Sequence, residues 1–446
     1  MVGRYQAYSK YKDSGLEWLG KLPKHWGVKR LGQFFAERRE KVSDKDYPAL
    51  SVTMQGIVPQ LETAAKTDAG DNRKLVLKND FVINSRSDRK GSAGVSSYDG
   101  SVSLISIVME PKLINPKFVH HLLRSYPFQE EFYRYGKGIV ADLWSTNSSE
   151  MKNILIPDLP GEEQQQIADF LDHETAKIDT LIEKQQQFIK LLKEKRQAAI
   201  SQAVTKGLNS DAPMRDSGVE WLEEVPEHWK VCRVKQVSGF ITSGPRGWSD
   251  FLSEKGEKVF LQSGDLTNKL GLRLKEAKKV SPPNNAEGVR TKLKFGDVVV
   301  CITGANTGRV AIVPKLHEVV YINQHLSLIR PVQSLISSEY LGYVLSSSSV
   351  RAYFSVTQYG LKEGLSLTNI AEAPLCCPAL KEQKRIVNHI KQISCKYDSL
   401  EGKAIQQVEL LRERRTGLIS AAVTGKIDVR NWQVPQQTKS KREDAA

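Results

Sequence analysis

Cysteine is scarce: the 446 residues contain five, Cys232, Cys301, Cys376, Cys377 and Cys395, all in the second half and none in C-x-x-C spacing. An odd, unpaired set excludes a disulfide framework and predicts reduced thiols packed in the core, with no metal site. Long apolar runs are also missing, since nowhere do about eighteen apolar residues follow one another. The start, MVGRYQAYSKYKDSG, has no apolar core of signal-peptide type, so the predicted location is the cytoplasm. The motifs of catalysis are absent as well. GANTGRV places only three residues between Gly304 and Gly308 and has no lysine, so it is not a phosphate loop. Ser281, Pro282, Pro283 and Asn284 lack the aromatic that would hold a flipped base, and no glycine-rich cofactor loop precedes them. Asp88, Arg89 and Lys90 have one carboxylate–lysine spacing of a nuclease without the cluster a metal needs. No catalytic residue is predicted.

What the sequence does have is length for two domains and an excess of positive charge, 65 Lys and Arg against 51 Asp and Glu, a formal +14. That excess favours a polyanionic partner without naming one.

The chain is written twice. DSGLEWLGKLPKHW at 13–26 returns as DSGVEWLEEVPEHW at 216–229, retaining Trp18/Trp221, Pro23/Pro226, His25/His228 and Trp26/Trp229 at an offset of 203. The tryptophans read as buried anchors or as part of a partner interface. The histidines read as packing or capping residues. A second pair of matches, EEQQQIADFL with KEQKRIVNHI and RQAAISQAVTKGL with RTGLISAAVTGKI, shares an offset of 219. The segment between them has one length in both copies and no proline, and each copy opens just after a proline-bearing stretch. It reads as a single long helix.

In the second copy Ile386, Ile390, Ile393, Tyr397, Leu400, Ala404, Gln407, Leu411, Arg414 and Leu418 form a heptad seam, weaker in the first copy at Ile167, Leu171, Glu174, Ile178, Leu181, Gln185, Phe188, Leu192, Lys195 and Ala199. Two such helices, paired antiparallel, make a rod of about 48 Å between Ile167 and Ala199. Ordinary amphipathic core helices are the alternative. The predicted interface residues are Leu171, Ile178, Leu181, Leu192, Ile390, Tyr397, Leu400 and Leu411.

Between the repeats lie two divergent segments, one containing KNDFVINSRSDRKGSAGVSSYDG and the other KFGDVVVCITGANTGRVAIV, each a buried-strand pattern running into a Gly- and Ser-rich loop. The expected fold is mixed α/β: two globular domains joined by two long helices with approximate two-fold symmetry. The boundaries are 1–160 for the first motif and variable domain, 161–208 for the first helix and 209–380 for the second motif and domain. The second helix takes 381–428 and a polar tail 429–446.

The DSG-x-EWLG opening, with Glu223 in place of Gly20 in the second copy, the EQ-x-x-I helix start and the R-x-x-x-IS-x-AVT helix end, each repeated in the second half, resemble the specificity subunits of Type I restriction-modification enzymes over essentially the whole chain. The resemblance implies that each variable segment is a target recognition domain reading one half of a bipartite site in double-stranded DNA. It implies that the helices set the unread gap and dock two methyltransferase (modification) subunits, with restriction/translocase subunits as further partners. S-adenosylmethionine, ATP and magnesium would belong to those partners and no cofactor to this chain. Arg86, Arg89 and Lys90 in the first domain and Arg246, Asn306 and Arg309 in the second are the candidate DNA-binding residues, because Arg suits guanine and phosphate and Asn suits adenine. The first segment departs from the pattern, with NSRSDRKGSAG where the second has ITGANTGRVAIV. Two other readings stay open: a self-sufficient DNA methyltransferase or nuclease, and an adaptor that dimerises through its helices.

Overall fold

The computed structural model describes residues 5–60, 70–138, 144–253, 256–283, 286–358 and 364–434. Asn284 and the end of the tail from 435 onward lie outside them. The chain forms two compact units, Met1–Gln186 with Gln406–Ala446, and Gln187–Ile405. The two long helices, Gly161–Thr205 and Leu380–Val423, therefore each begin in one unit and end in the other.

Each variable segment starts and finishes on one pair of antiparallel strands. In the first unit Gly27–Arg30, directly after the Trp26 motif, pairs with Leu155–Asp158, directly before the first long helix. In the second, Lys230–Arg233 pairs with Pro374–Cys377 in the same way. What lies between is a loop-like excursion tied at its base, which can change without moving the helices.

Within each excursion the main sheet has four strands. In the first unit they are β1 (Phe35–Glu37), β2 (Phe81–Asn84), β3 (Ala93–Val95) and β4 (Ser106–Pro111), in the order β3-β2-β4-β1. In the second they are β5 (Ser238–Ser243), β6 (Val298–Cys301), β7 (Val310–Ile312) and β8 (Leu326–Pro331), in the order β7-β6-β8-β5. The order is the same, and every pairing is antiparallel. FVIN of β2 and VVVC of β6 are buried along their whole length, because alternate side chains point to opposite faces and both faces are covered. Phe81 and Ile83 join a core with Trp26, Phe118, Phe128, Phe132 and the ends of both helices, while Val82 faces Val76, Val102 and Val108. Val298 and Val300 face Trp229 and Tyr340, and Val299 and Cys301 face Val259, Val320 and Leu328. Covering that second face is where the units part. The first uses Lys41–Val42, Arg73–Val76 and Gly100–Val102, all antiparallel, whereas the second pairs Lys258–Leu261 parallel to Val320–Ile322.

The turn entering each central strand is repeated in detail. Asn79 (φ 75°) and Gly296 (φ 83°) take the left-handed conformation just before Asp80 and Asp297, a region open to Gly and Asn at low cost. Asp80 accepts from Leu77 N at 2.8 Å and Asp297 from Lys294 N at 2.7 Å. Both carboxylates are buried and paired: Arg38 donates to Asp80 at 2.7 and 3.2 Å, and Arg330 to Asp297 at 2.7 and 2.8 Å.

The long helices pair antiparallel within each unit. Arg415 bonds Asp179 at 2.8 Å in the first; Lys193 meets Glu401 at 3.3 Å and Arg196 meets Asp398 at 2.8 Å in the second. The residue numbers of every pair add to 594, as an antiparallel register requires. The seam, however, steps four then three from Leu171 and from Ile390, where the sequence reading steps three then four. Leu171, Ile178, Leu192, Ile390, Ala404 and Leu411 are buried and Tyr397 is half-buried, but the alternate positions are Thr175, Ile182, Ile189, Ser394, Glu401 and Val408. Leu181 and Leu400 lie on the exposed side. With 3.6 residues per turn, positions three and four along are nearly equivalent, and the leucines drew the reading to the wrong one.

The repeated motif anchors the helix ends. Trp26 and Trp229 are buried, Trp18 and Trp221 half-buried. Gly425 (φ 71°) ends the second helix against Pro23 and Trp26, where a Cβ would come within 2.3 Å of the proline; Gly207 (φ 76°) ends the first helix against Trp229. His25 bonds Glu163 at 2.9 Å and His228 bonds Glu382 at 3.1 Å, tying motif to helix start. One expectation changes: Cys301 and Cys376 are buried, but Cys395 is exposed on its helix. The residues that follow the second helix are packed: Asp428 N donates to Gln6 O at 2.8 Å, Val429 is buried and Trp432 meets Phe170 edge-on at 5.4 Å.

Two predictions follow from these contacts. Asp297→Ala strands the Arg330 guanidinium at a half-closed site and should cost about 3–5 kcal/mol of unfolding free energy. Urea titration checks this, and a loss under 1 kcal/mol would remove the pair from the fold's supports. Burial, then the neighbouring Arg124 and His121, push His120 down to about 3. A histidine depressed in the folded state stabilises above its ordinary value of about 6.5, and that stability is lost as pH falls from there toward 3, at up to ~1.4 kcal/mol per pH unit. His120→Gln should flatten the pH dependence of unfolding between 7.5 and 5.5, and a slope equal to that of the parent would refute it.

Candidate nucleic-acid interface

The candidate residues gather at one end of the four-stranded sheet in each unit. In the first, the loop leaves β2 at Ser85, passes Arg86, makes a short 3-10 turn at Ser87–Arg89 and returns through Gly91 (φ 84°) to β3. Its root is fixed: Asn84 Oδ1 accepts from Arg86 N at 3.1 Å, and the buried Tyr133 hydroxyl, pushed up to about 12 by burial, donates to Asn84 O at 3.1 Å. Arg86 is exposed and its side chain has no partner among the described residues. Arg89 leans on Asp88 at 3.6 Å, an exposed pair worth about 0–1 kcal/mol. Lys90 is held by Glu130. The tip thus presents one free and one loosely paired arginine.

In the second unit β5 and the β6–β7 loop reach the same end. Beyond Ser243 the chain passes Gly244, where a Cβ would lie 2.2 Å from the Asn323 backbone, so only glycine lets the two segments touch. Arg246 follows, exposed and without a partner among the described residues, and then the buried Trp248. The loop from Ile302 to Arg309 turns through Gly304 (φ 89°) and Gly308 (φ 79°). Two of the candidates here are used internally. Asn306 donates to Ser263 O at 3.2 Å and Arg309 to Leu266 O at 3.1 Å. Both staple the loop to the segment after Lys258–Leu261, and Arg246 is left without a partner among the described residues.

Sequence reading missed the turn joining the strands beside the loop, Ser103–Ile105 in the first unit and Asn323–His325 in the second. Nothing in its composition marks it, because it lies inside what reads as one continuous strand, GSVSLISIVME or VVYINQHLSLI.

A duplicated mixed α/β unit carrying arginine-bearing loops at matching sheet ends is the architecture of a tandem recognition protein. Comparison with known proteins gives that class a family. Residues 226–410 match the Type I restriction modification DNA specificity domain. Over 447 aligned residues the chain is 24% identical to the protein assigned as the MjaX type I restriction enzyme specificity subunit of Methanocaldococcus jannaschii, covering 92% of this chain and 96% of the relative. It is 22% identical to the EcoBI specificity subunit of Escherichia coli, covering 74% and 72%. Among solved structures, a chain from a study of complex assembly and conformational transition in a type I R-M system aligns with a TM-score of 0.68 at 17% identity, over 91% of this chain and 99% of that one. The HsdS subunit from Thermoanaerobacter tengcongensis aligns with a TM-score of 0.51 at 18% identity, over 91% and 98%. Over nearly its whole length the chain is similar to specificity subunits of Type I restriction-modification systems.

If Asn306 is a staple, Asn306→Ala releases a hydrogen bond worth about 1 kcal/mol. Backbone amide exchange at 303–308 should then accelerate several-fold while exchange in β6 stays unchanged, and equal exchange in variant and parent would return Asn306 to the free set.

Proposed function

We propose that this chain reads a bipartite DNA sequence, one half per unit, and directs adenine methylation and restriction by partner subunits. The observation that carries the reading is the matched pair of loop clusters: the same sheet end, a left-handed glycine two residues before the returning strand (Gly91 and Gly308), and different side chains. A repeated frame with divergent tips suits two readers of different half-sites. Arg86 and Arg246 are assigned to the DNA, where exposed guanidinium groups neutralise phosphate or pair with guanine. Chemistry lies with the partners, which bring S-adenosylmethionine, ATP and magnesium, and the chain acts in the cytoplasm beside the DNA. Among the described residues no helix is long and apolar enough to cross a membrane.

The helices are assigned two roles. Their length, 45 and 44 residues or roughly 66 Å at ~1.5 Å per residue, sets the unread spacer. Their exposed leucines dock two modification subunits. Leu181 (48% exposed) and Leu400 (44%) are equivalent under the offset of 219, as are Leu191 (52%) and Leu410 (51%). An apolar residue kept exposed at both equivalent positions suits a surface that is covered twice.

The test is adenine-methylation mapping in cells carrying the cognate modification subunit with and without this chain. A chain-dependent motif split by a fixed spacer is the expected result, and no new methylation from a stably assembled complex would overturn the reading. On the purified assembly, Arg86→Ala and Arg246→Ala should each weaken binding about equally on all sequences and lower the salt slope by about 0.9 if the contact is to phosphate. An unchanged slope with a relaxed motif would make the contact one to a base.

A further inference from the structure

The turn that sequence reading passed over is built alike in both units and carries opposite chemistry. In the first unit it connects Gly100–Val102 to β4, and in the second Val320–Ile322 to β8. Ladder register makes the two equivalent: Ser106 stands opposite Asn84, and Leu326 opposite Cys301. The turn is bonded to the first residue of the neighbouring loop in each case. Ser85 N donates to Ile105 O at 3.4 Å, and Ile302 N donates to His325 O at 2.9 Å. Position 105 therefore corresponds to 325, and 104 to 324.

Backbone geometry is retained while the side chains are exchanged. Leu104 and Ile105 are each 39% exposed, two large apolar groups at a surface where the adjoining loop is cationic. Their counterparts are Gln324, half-buried, and His325, exposed. These are linked: the Gln324 amide lies 3.3 Å from His325 Nε2, and Thr303 Oγ1 lies 2.5 Å from His325 Nδ1. With the Gln324 amide donating to Nε2, Nδ1–H donates to Thr303, a tautomer assigned from the network. This leaves the Gln324 carbonyl oxygen and the second amide proton free.

Packing does not explain the apolar pair, because both side chains point away from the cores on either face of β4, where Ile107, Val108 and Met109 are buried. Nor does the backbone demand either pair, since Ser106 N donates to Ser103 O at 3.0 Å and Leu326 N to Asn323 O at 3.1 Å, closing both turns alike. A surface element with a constant backbone, variable chemistry and a place beside the exposed Arg86 and Arg246 loops has the properties of a base reader. Apolar side chains distinguish thymine by its C5 methyl, and a glutamine amide matches the N6–H and N7 edge of adenine.

Resting on the reading of the chain as a DNA specificity subunit, we propose that Leu104–Ile105 and Gln324–His325 are specificity-determining turns, the first contacting a thymine methyl in one half-site and the second the major-groove edge of an adenine in the other. The test is the methylation map of the assembled complex carrying L104Q/I105H, and separately Q324L/H325I, with Ile105→Ala and Gln324→Ala as milder variants that preserve the turn. Each exchange should alter or relax one or two positions in a single half-site, with about 5- to 100-fold loss of discrimination there. The other half-site and the spacer should not change. An intact motif in all four variants, with methylation at parental levels, overturns the proposal and leaves the bipartite reading standing. No chain-dependent motif from the parent complex overturns both. If the double exchanges abolish methylation, the single variants decide: relaxation confined to one half-site supports the proposal, and uniform weakening at all sequences assigns the turns to the DNA backbone and overturns it.

Discussion

The structure depends on one constraint, the short antiparallel ladder at the base of each variable segment. Gly27–Arg30 with Leu155–Asp158, and Lys230–Arg233 with Pro374–Cys377, bring the two ends of a long, divergent segment to neighbouring positions. On one side of the ladder stands the tryptophan motif and on the other a long helix, so a His–Glu bond joins them in each unit. With the ends tied, the interior is free to drift provided it still delivers a four-stranded sheet to the same core. That is the physical sense in which the repeats are scaffold and the intervening segments cargo.

How far the interior has drifted is visible in the second sheet. Both units bury the central strand on two faces, yet one covers the outer face with an all-antiparallel set and the other with a mixed sheet that contains a parallel pair. The buried Asp is retained by different means too, its arginine coming from the strand end beside β1 in one unit and from β8 in the other. Burying a carboxylate costs several kcal/mol unless it is paired and hydrogen-bonded, so the requirement is for an arginine within reach and not for a particular position in the chain. Sequence comparison of the two segments sees little, because the constraint acts on contacts.

Much of the architecture was legible: the duplication, the long helices, the two mixed domains and the arginine loops all follow from motif spacing and apolar pattern. The phase of the helix seam was not, because Leu181 and Leu400 offer a more apolar stripe than the Ser394 and Glu401 that actually face inward. Glu401 is accommodated by its ion pair with Lys193, a pairing that a single-helix pattern cannot display. Nor was the fate of Asn306 and Arg309 readable. Their residue types fit base contacts, but the backbone carbonyls of Ser263 and Leu266 lie nearer, and only the fold brings those groups together.

The distinction between free and engaged cations changes what the net charge means. A formal +14 would suggest a diffuse positive surface. Instead, many of the basic side chains in the structure are committed: Arg38, Arg330 and Arg415 to carboxylates, Arg309 and Arg73 to backbone or hydroxyl oxygens. Long-range charge still draws a polyanion to the molecule, because field strength does not depend on which carboxylate a guanidinium touches once the excess remains. Contact is another matter, since an engaged group must give up its partner before it meets phosphate. Arg86 and Arg246 have no such partner to give up among the described residues, and each stands at the free end of its sheet beside a turn whose side chains differ between the units. On the proposed reading the arginines supply affinity and the turns discrimination, which matches the division between phosphate and base contacts.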